Sequence, residues 1–155
     1  MRPPSVFLRK QEPRATSDVL GNPGLLPPQE HCAVRFAGYA AVFDRVDRGG
    51  DVVRAGAIRV PAHVPLLWQH RGSPVGRIER VEADATGLRV IGAVDDPALA
   101  KLVAAKAVDG LSFGYRVRAA RSGRVRELTD LDLVEISLVA RPMQPLARVH
   151  AVDKG

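Results

Sequence analysis

The sequence predicts a mainly β fold of the α+β class, a β-barrel or sandwich carrying peripheral helix, on three observations. Short apolar, β-favouring runs recur along the chain with Gly, Asp, Ser and Pro between them, as strands and turns do. Hydrophobic residues make up 46% of the chain and aromatic ones only 5%, so the core is expected to be aliphatic. A single stretch, from Asp96 to Gly110, carries the capped apolar stripe of a helix. At 155 residues the chain has room for one main domain with a real core.

Residues 1–30 hold Pro3, Pro4, Pro13, Pro23, Pro27 and Pro28 with Gly21 and Gly24, a composition that resists helix and sheet alike and predicts a flexible extension. The folded domain is expected over residues 31–155, its first strand beginning near Ala33 in "AVRFAGYAAVFD", where Gly38 marks a bulge or a close backbone approach. After the loop "DRVDRGGD", the run Val64 to Trp68 reads as a buried strand with Trp68 as its core anchor. Arg71-Gly72-Ser73-Pro74 reads as the turn that stops it, which leaves His70 where a core strand surfaces.

Val75, Ile78 and Val81, then Leu88, Val90 and Ala93, form a hairpin about the turn Asp84 to Gly87. Asp96 is an N-cap, Pro97 a first helical position, Leu99, Leu102 and Val103 the apolar stripe, and Gly110 the stop. "LSFGYRVRAA", the turn "RSGR" and "VRELTDLDLVEISLVARP" make a second hairpin, ending in a Pro-containing tail.

The charge of +6, from 23 Lys and Arg against 17 Asp and Glu, is spread thinly outside the first stretch. It lacks the interleaved aromatics of a single-strand binder, so nucleic acid is not the expected partner. Cys32 is the only cysteine, which excludes an intrachain disulfide and fits a reducing, cytoplasmic setting. His31, His63, His70 and His150 lack the spacing of a closed zinc site, and no apolar run suits a signal peptide or membrane span. Neither metal, cofactor nor membrane is expected.

Three polar residues interrupt apolar strands: His70 after "LLWQ", Ser112 in "GLSFGY" and Glu135 in "LVEISLV". Buried without partners, such groups cost free energy, so each needs a reason. With the second hairpin's turn centred between Gly123 and Arg124, Ser112 faces Glu135 across adjacent strands, and Glu135 shares a strand face with Ser137. A serine, an imidazole and a carboxylate are the parts of an acyl-transfer site: imidazole takes the hydroxyl proton, carboxylate orients imidazole, serine attacks. Gly110 and Gly114 flank the serine, giving a substrate backbone room and leaving main-chain N–H groups for an oxyanion. Taken singly, each residue has a plainer explanation: a strand-end histidine, a serine bonded to its own backbone, a glutamate paired with Arg116 or Arg118.

The set "FAGYAAVFDRVDRGGDVVRAGAI", "VPLLWQHRGSPVGRI", "GLRVIGAV", "GLSFGYRV" and "LDLVEISLVARPMQPLARV", in that order over residues 34–149, resembles the prohead proteases of tailed phages, found also in prophages and gene transfer agents. The resemblance implies an assemblin-like β-barrel with peripheral helices, and a serine endopeptidase acting in the cytoplasm within the assembling procapsid. Its expected substrates are the major capsid protein and a scaffold segment, and the chain itself. The resemblance assigns His70 as general base, Ser112 as nucleophile and Glu135 as orienting acid, where assemblins use a second histidine. It also implies a homodimer, and Arg141 is a positional candidate for aiding the oxyanion. The chain departs from the family's Pro-Ala-Asn-Pro at "RPMQP", with Met143 and Gln144 in between. The rival expectation is a catalytically silent scaffold or assembly protein with the same barrel.

Overall fold

The computed structural model describes residues 33–154. The Pro-rich extension, with His31 and Cys32, lies outside the described residues. Among the described residues nine strands and one helix follow in order: β1 Val34–Val42, β2 Asp51–Val53, β3 Ile58–Arg59, β4 Pro65–Trp68, β5 Arg71–Ala83, β6 Gly87–Val94, α1 Pro97–Ala104, β7 Gly110–Arg121, β8 Arg126–Val139 and β9 Val149–Asp153. The mainly β expectation holds, and no helix among the described residues is long and apolar enough to cross a membrane.

The long strand β8 organises the sheet. One of its edges pairs antiparallel with β7. The other takes three short parallel partners in turn, β2 at Arg126 to Leu128, β3 at Leu131 and Asp132, and β4 at Ile136 to Leu138. From β4 the sheet continues through β5, β6 and β1 to β9. It is closed by a narrow seam, where Gly110 at the start of β7 bridges to Arg148 just before β9. Leu111 N–H donates to the Ala147 carbonyl at 2.9 Å and Val149 N–H to the Asp109 carbonyl at 2.8 Å.

The barrel interior is aliphatic, as the composition requires: Leu66, Leu88, Leu111, Leu128, Leu131, Ile136 and Leu138 are fully buried. Each such side chain contributes about 1.5–3 kcal/mol relative to exposure. Of the "LLW" run only Leu66 is fully buried; Leu67 and Trp68 are half-buried, and Trp68 packs against the core from its edge. Bulges set which residues face inward. One between Ile78 and Arg80 lets Ile78 and Val81, three positions apart, both pack on the core.

Gly38 lies at a register shift between β1 and β9, and a Cβ there would run into the Arg148 carbonyl oxygen. Asp96 caps α1 by accepting from Leu99 N–H at 2.9 Å, as expected. The helix stops earlier than expected. Lys106 takes a left-handed conformation, φ 63°, two residues past Ala104, so Gly110 opens β7 instead of ending the helix. Leu99, Ala100 and Val103 are its buried face, while Leu102 is exposed.

Candidate active site

The expected turn at Arg71 to Pro74 is not where the chain reverses; those residues begin β5. Trp68 pairs with Arg71, so the whole turn is Gln69-His70, a two-residue hairpin loop. Both residues have positive φ, 54° and 63°, as a type I′ turn demands. Neither is a glycine, and each such conformation costs on the order of 1–3 kcal/mol. Strand β8 holds the turn in place: Gln69 N–H donates to the Leu138 carbonyl at 3.0 Å, and Gln69 Oε1 accepts from Ala140 N–H at 2.7 Å. His70 N–H donates to Ser137 Oγ at 3.0 Å.

The second hairpin brings Ser112 and Glu135 onto one face, in a register the sequence did not predict. Ser112 lies opposite Ser137, and Glu135 opposite Gly114. An irregularity that pairs Gly114 with Glu135 but Tyr115 with Leu133 leaves Val134 as the extra residue, half exposed on the outer surface. Between Gly110 and Gly114 the slip from the expected register is two residues, which keeps Ser112 and Glu135 on one face, as diagonal neighbours instead of facing ones. Gly114 serves Glu135: a Cβ at that position would collide with the carboxylate, with Glu135 Oε2 first.

Glu135 is buried, with 8% of its surface exposed, and both its oxygens are engaged. Oε2 is 2.6 Å from His70 Nδ1, and Oε1 accepts from Ser137 Oγ at 2.7 Å. An ionised carboxylate only accepts, so Nδ1 carries the hydrogen and Nε2 of the neutral ring is left with its lone pair. The hydrogen bond to Glu135 raises the His70 pKa above the ordinary histidine value; partial burial opposes the rise and the carboxylate's charge adds to it. The alternative pairing of Glu135 with an arginine does not occur, and Arg118 binds Asp132 instead.

Ser112 and His70 line one pocket of about 120 Å³, together with Ala40, Asp47, Phe113, Tyr115 and Met143. Ser112 is 8% exposed, and its hydroxyl makes no hydrogen bond to another described residue. Among the described residues nothing engages this hydroxyl, which lines the pocket. The three residues singled out from the sequence thus gather at one place. Leu111 N–H is committed to the Ala147 carbonyl, so it is not free for an oxyanion, and Arg141 is not among the residues lining this pocket. Gln144 of "RPMQP" is buried and clamps Val42, accepting from its N–H at 2.7 Å and donating to its carbonyl at 3.1 Å.

Sequence reasoning missed Ser137 as a member of this network. The signal was present, because Ser137 follows Glu135 by the two residues that put both on one strand face.

Among solved structures, the chain is similar to the KSHV protease in complex with a hexapeptide phosphonate inhibitor, at 14% identity and a TM-score of 0.50, covering 79% of this chain and 66% of that one. A second KSHV protease structure gives 15% identity, a TM-score of 0.48 and coverage of 79% and 62%. The varicella-zoster virus protease gives 19%, 0.37, and coverage of 65% and 57%. The match thus spans between 57% and 66% of the length of these proteases, under two thirds of each, and at such identity the first likeness speaks for the fold alone. No curated protein sequence matches the chain significantly. The sequence pattern is more specific than the fold: a model of the caudovirus prohead serine protease family matches residues 27–155, and the chain belongs to that family.

Proposed function

We propose that this chain is a capsid-maturation endopeptidase with Ser112 as nucleophile, His70 as general base and Glu135 as orienting acid, acting inside the assembling procapsid. The observation that carries the assignment is the joint one: Ser112, whose hydroxyl has no hydrogen-bond partner among the described residues, and an imidazole line the same pocket, and a buried carboxylate fixes that imidazole's tautomer.

His70 Nε2 takes the proton from Ser112 Oγ as the oxygen attacks the scissile carbonyl carbon. Glu135 stabilises the imidazolium formed on that side without taking its proton. The imidazolium then protonates the departing amine, and water, activated by the same nitrogen, releases the acyl group from Ser112. The substrates we assign are the major capsid protein with its scaffold segment, and the chain's own N-terminal segment.

The test is coexpression of the cognate major capsid protein with wild type, Ser112→Ala or His70→Ala, reading capsid-protein and protease termini by mass spectrometry. New termini are expected with wild type and in neither variant. Undiminished processing by Ser112→Ala overturns the nucleophile, and normal particle maturation without any cleavage identifies a silent assembly protein instead. Sedimentation of the purified chain tests the homodimer implied by the family resemblance.

A further inference from the structure

One hydroxyl touches both partners of the base. Ser137 Oγ accepts from the His70 main-chain N–H at 3.0 Å and donates to Glu135 Oε1 at 2.7 Å, while Glu135 Oε2 meets the His70 ring at 2.6 Å. These contacts close a small ring: backbone of His70, Ser137, Glu135, imidazole of His70. Ser137 itself is fully buried on β8, and Leu138 on that strand and Ala140 just past its end hold Gln69.

A serine at that place satisfies a buried carboxylate oxygen and a part-buried main-chain N–H, but its consequence reaches further. The turn that carries the base is in left-handed backbone at both of its residues, neither of them glycine, so local preference opposes its shape. Beside the two Gln69 contacts, the hydrogen bond to Ser137 holds His70 itself in that shape, and the bond from Ser137 to the other carboxylate oxygen holds Glu135 pointing at Nδ1. We propose that Ser137 is a positioning residue of the catalytic site, fixing the distance between His70 and Glu135 by holding the main chain of one and the side chain of the other.

The inference rests on the assignment of Ser112, His70 and Glu135 above. Without the Ser137 hydroxyl, both ends of the imidazole–carboxylate contact are released. The His70 pKa then falls back toward the ordinary histidine value, and the ring is less often aligned with Ser112. A misplacement of about 1 Å at such a site costs up to about 100-fold in rate.

The experiment compares wild type, Ser137→Ala, Ser137→Thr and Ser112→Ala on a peptide spanning a mapped cleavage site, with kcat and KM measured across pH. An NMR titration of the His70 ring in the full chain accompanies it. For Ser137→Ala we expect kcat to fall, up to about 100-fold, with KM within about twofold. The acidic limb of kcat/KM and the His70 titration both move to lower pH. Ser137→Thr, which keeps the hydroxyl, recovers the wild-type limb. Wild-type kcat and an unmoved titration in a folded Ser137→Ala overturn the positioning role, as does a loss of rate with the limb unmoved. If Ser112→Ala cleaves like wild type, the nucleophile assignment has failed; if it is inactive and Ser137→Ala is normal, only the role of Ser137 has failed. Should Ser137→Ala not fold, the titration of Ser137→Cys, whose thiol is a weak donor and acceptor, decides: a His70 midpoint lowered from wild type supports the role, and an unmoved midpoint overturns it.

Discussion

The two halves of β8 carry the same residue type to different ends. In the first half Glu127, Asp130 and Asp132 bind Arg54, Arg59 and Arg118 on the outside of the barrel, with arginine side chains 41–60% exposed. In the second half a single acid, Glu135, turns onto a buried face and takes a histidine as partner. An arginine is always charged, so the outer pairs behave alike at every ordinary pH, and in water each is worth about 0–1 kcal/mol. A histidine can be neutral. The inner pair therefore has two states within the working pH range, which is the property a proton-transferring site needs and a structural ion pair lacks.

The comparison is broken most severely by Glu135→Gln. The amide can present its N–H₂ to Nδ1 and favour the wrong imidazole tautomer; in other serine proteases such a change costs about 10⁴-fold in kcat, less than loss of the nucleophile. Peptide cleavage kinetics should show a fall of about that order, with the acidic limb returned to the ordinary histidine range. Gly114→Ala comes next. Its Cβ displaces the Glu135 carboxylate from below, and we expect roughly 100-fold less activity and about 1–3 kcal/mol less stability by denaturant unfolding.

The stability of the inner pair should also depend on pH. Because the folded His70 pKa is raised, the contribution is fully present below the unfolded value of about 6.5 and is lost as pH rises through the folded value. The deficit in melting temperature of Glu135→Gln against wild type should therefore be larger near pH 6 than near about pH 9. The smallest effect belongs to the outer half. Asp132→Asn should change stability by no more than about 0.5 kcal/mol and leave cleavage untouched.

Two tight turns show what was legible in the sequence. Asp84 to Gly87 is built from its own residues: Asp84 Oδ1 accepts from Thr86 N–H and Gly87 N–H at 2.8 and 3.0 Å, so the pattern announced itself locally. Gln69-His70 contains none of the usual turn formers and is held by Leu138, Ala140 and Ser137, almost 70 residues away in sequence. Reading along the chain therefore placed the turn among Arg71 to Pro74, where such residues do stand. The same divide runs through the site. His70, Ser112 and Glu135 were visible as polar breaks in apolar strands, whereas the Val134 bulge that sets their register depends on packing across β8 and leaves no local mark.

The seam at Gly110 and Arg148 makes the enzyme's assembly a matter of timing. Ser112 sits two residues from a closure that needs the chain just before β9, the last of the described strands. β9 must then find β1, paired through residues such as Phe36 and Val152, over more than a hundred residues of intervening chain. Contacts that distant form late and slowly in folding. The wall beside Ser112 is therefore completed only once β9 has found β1, so the barrel's own topology places the closing of this pocket among the late steps of folding.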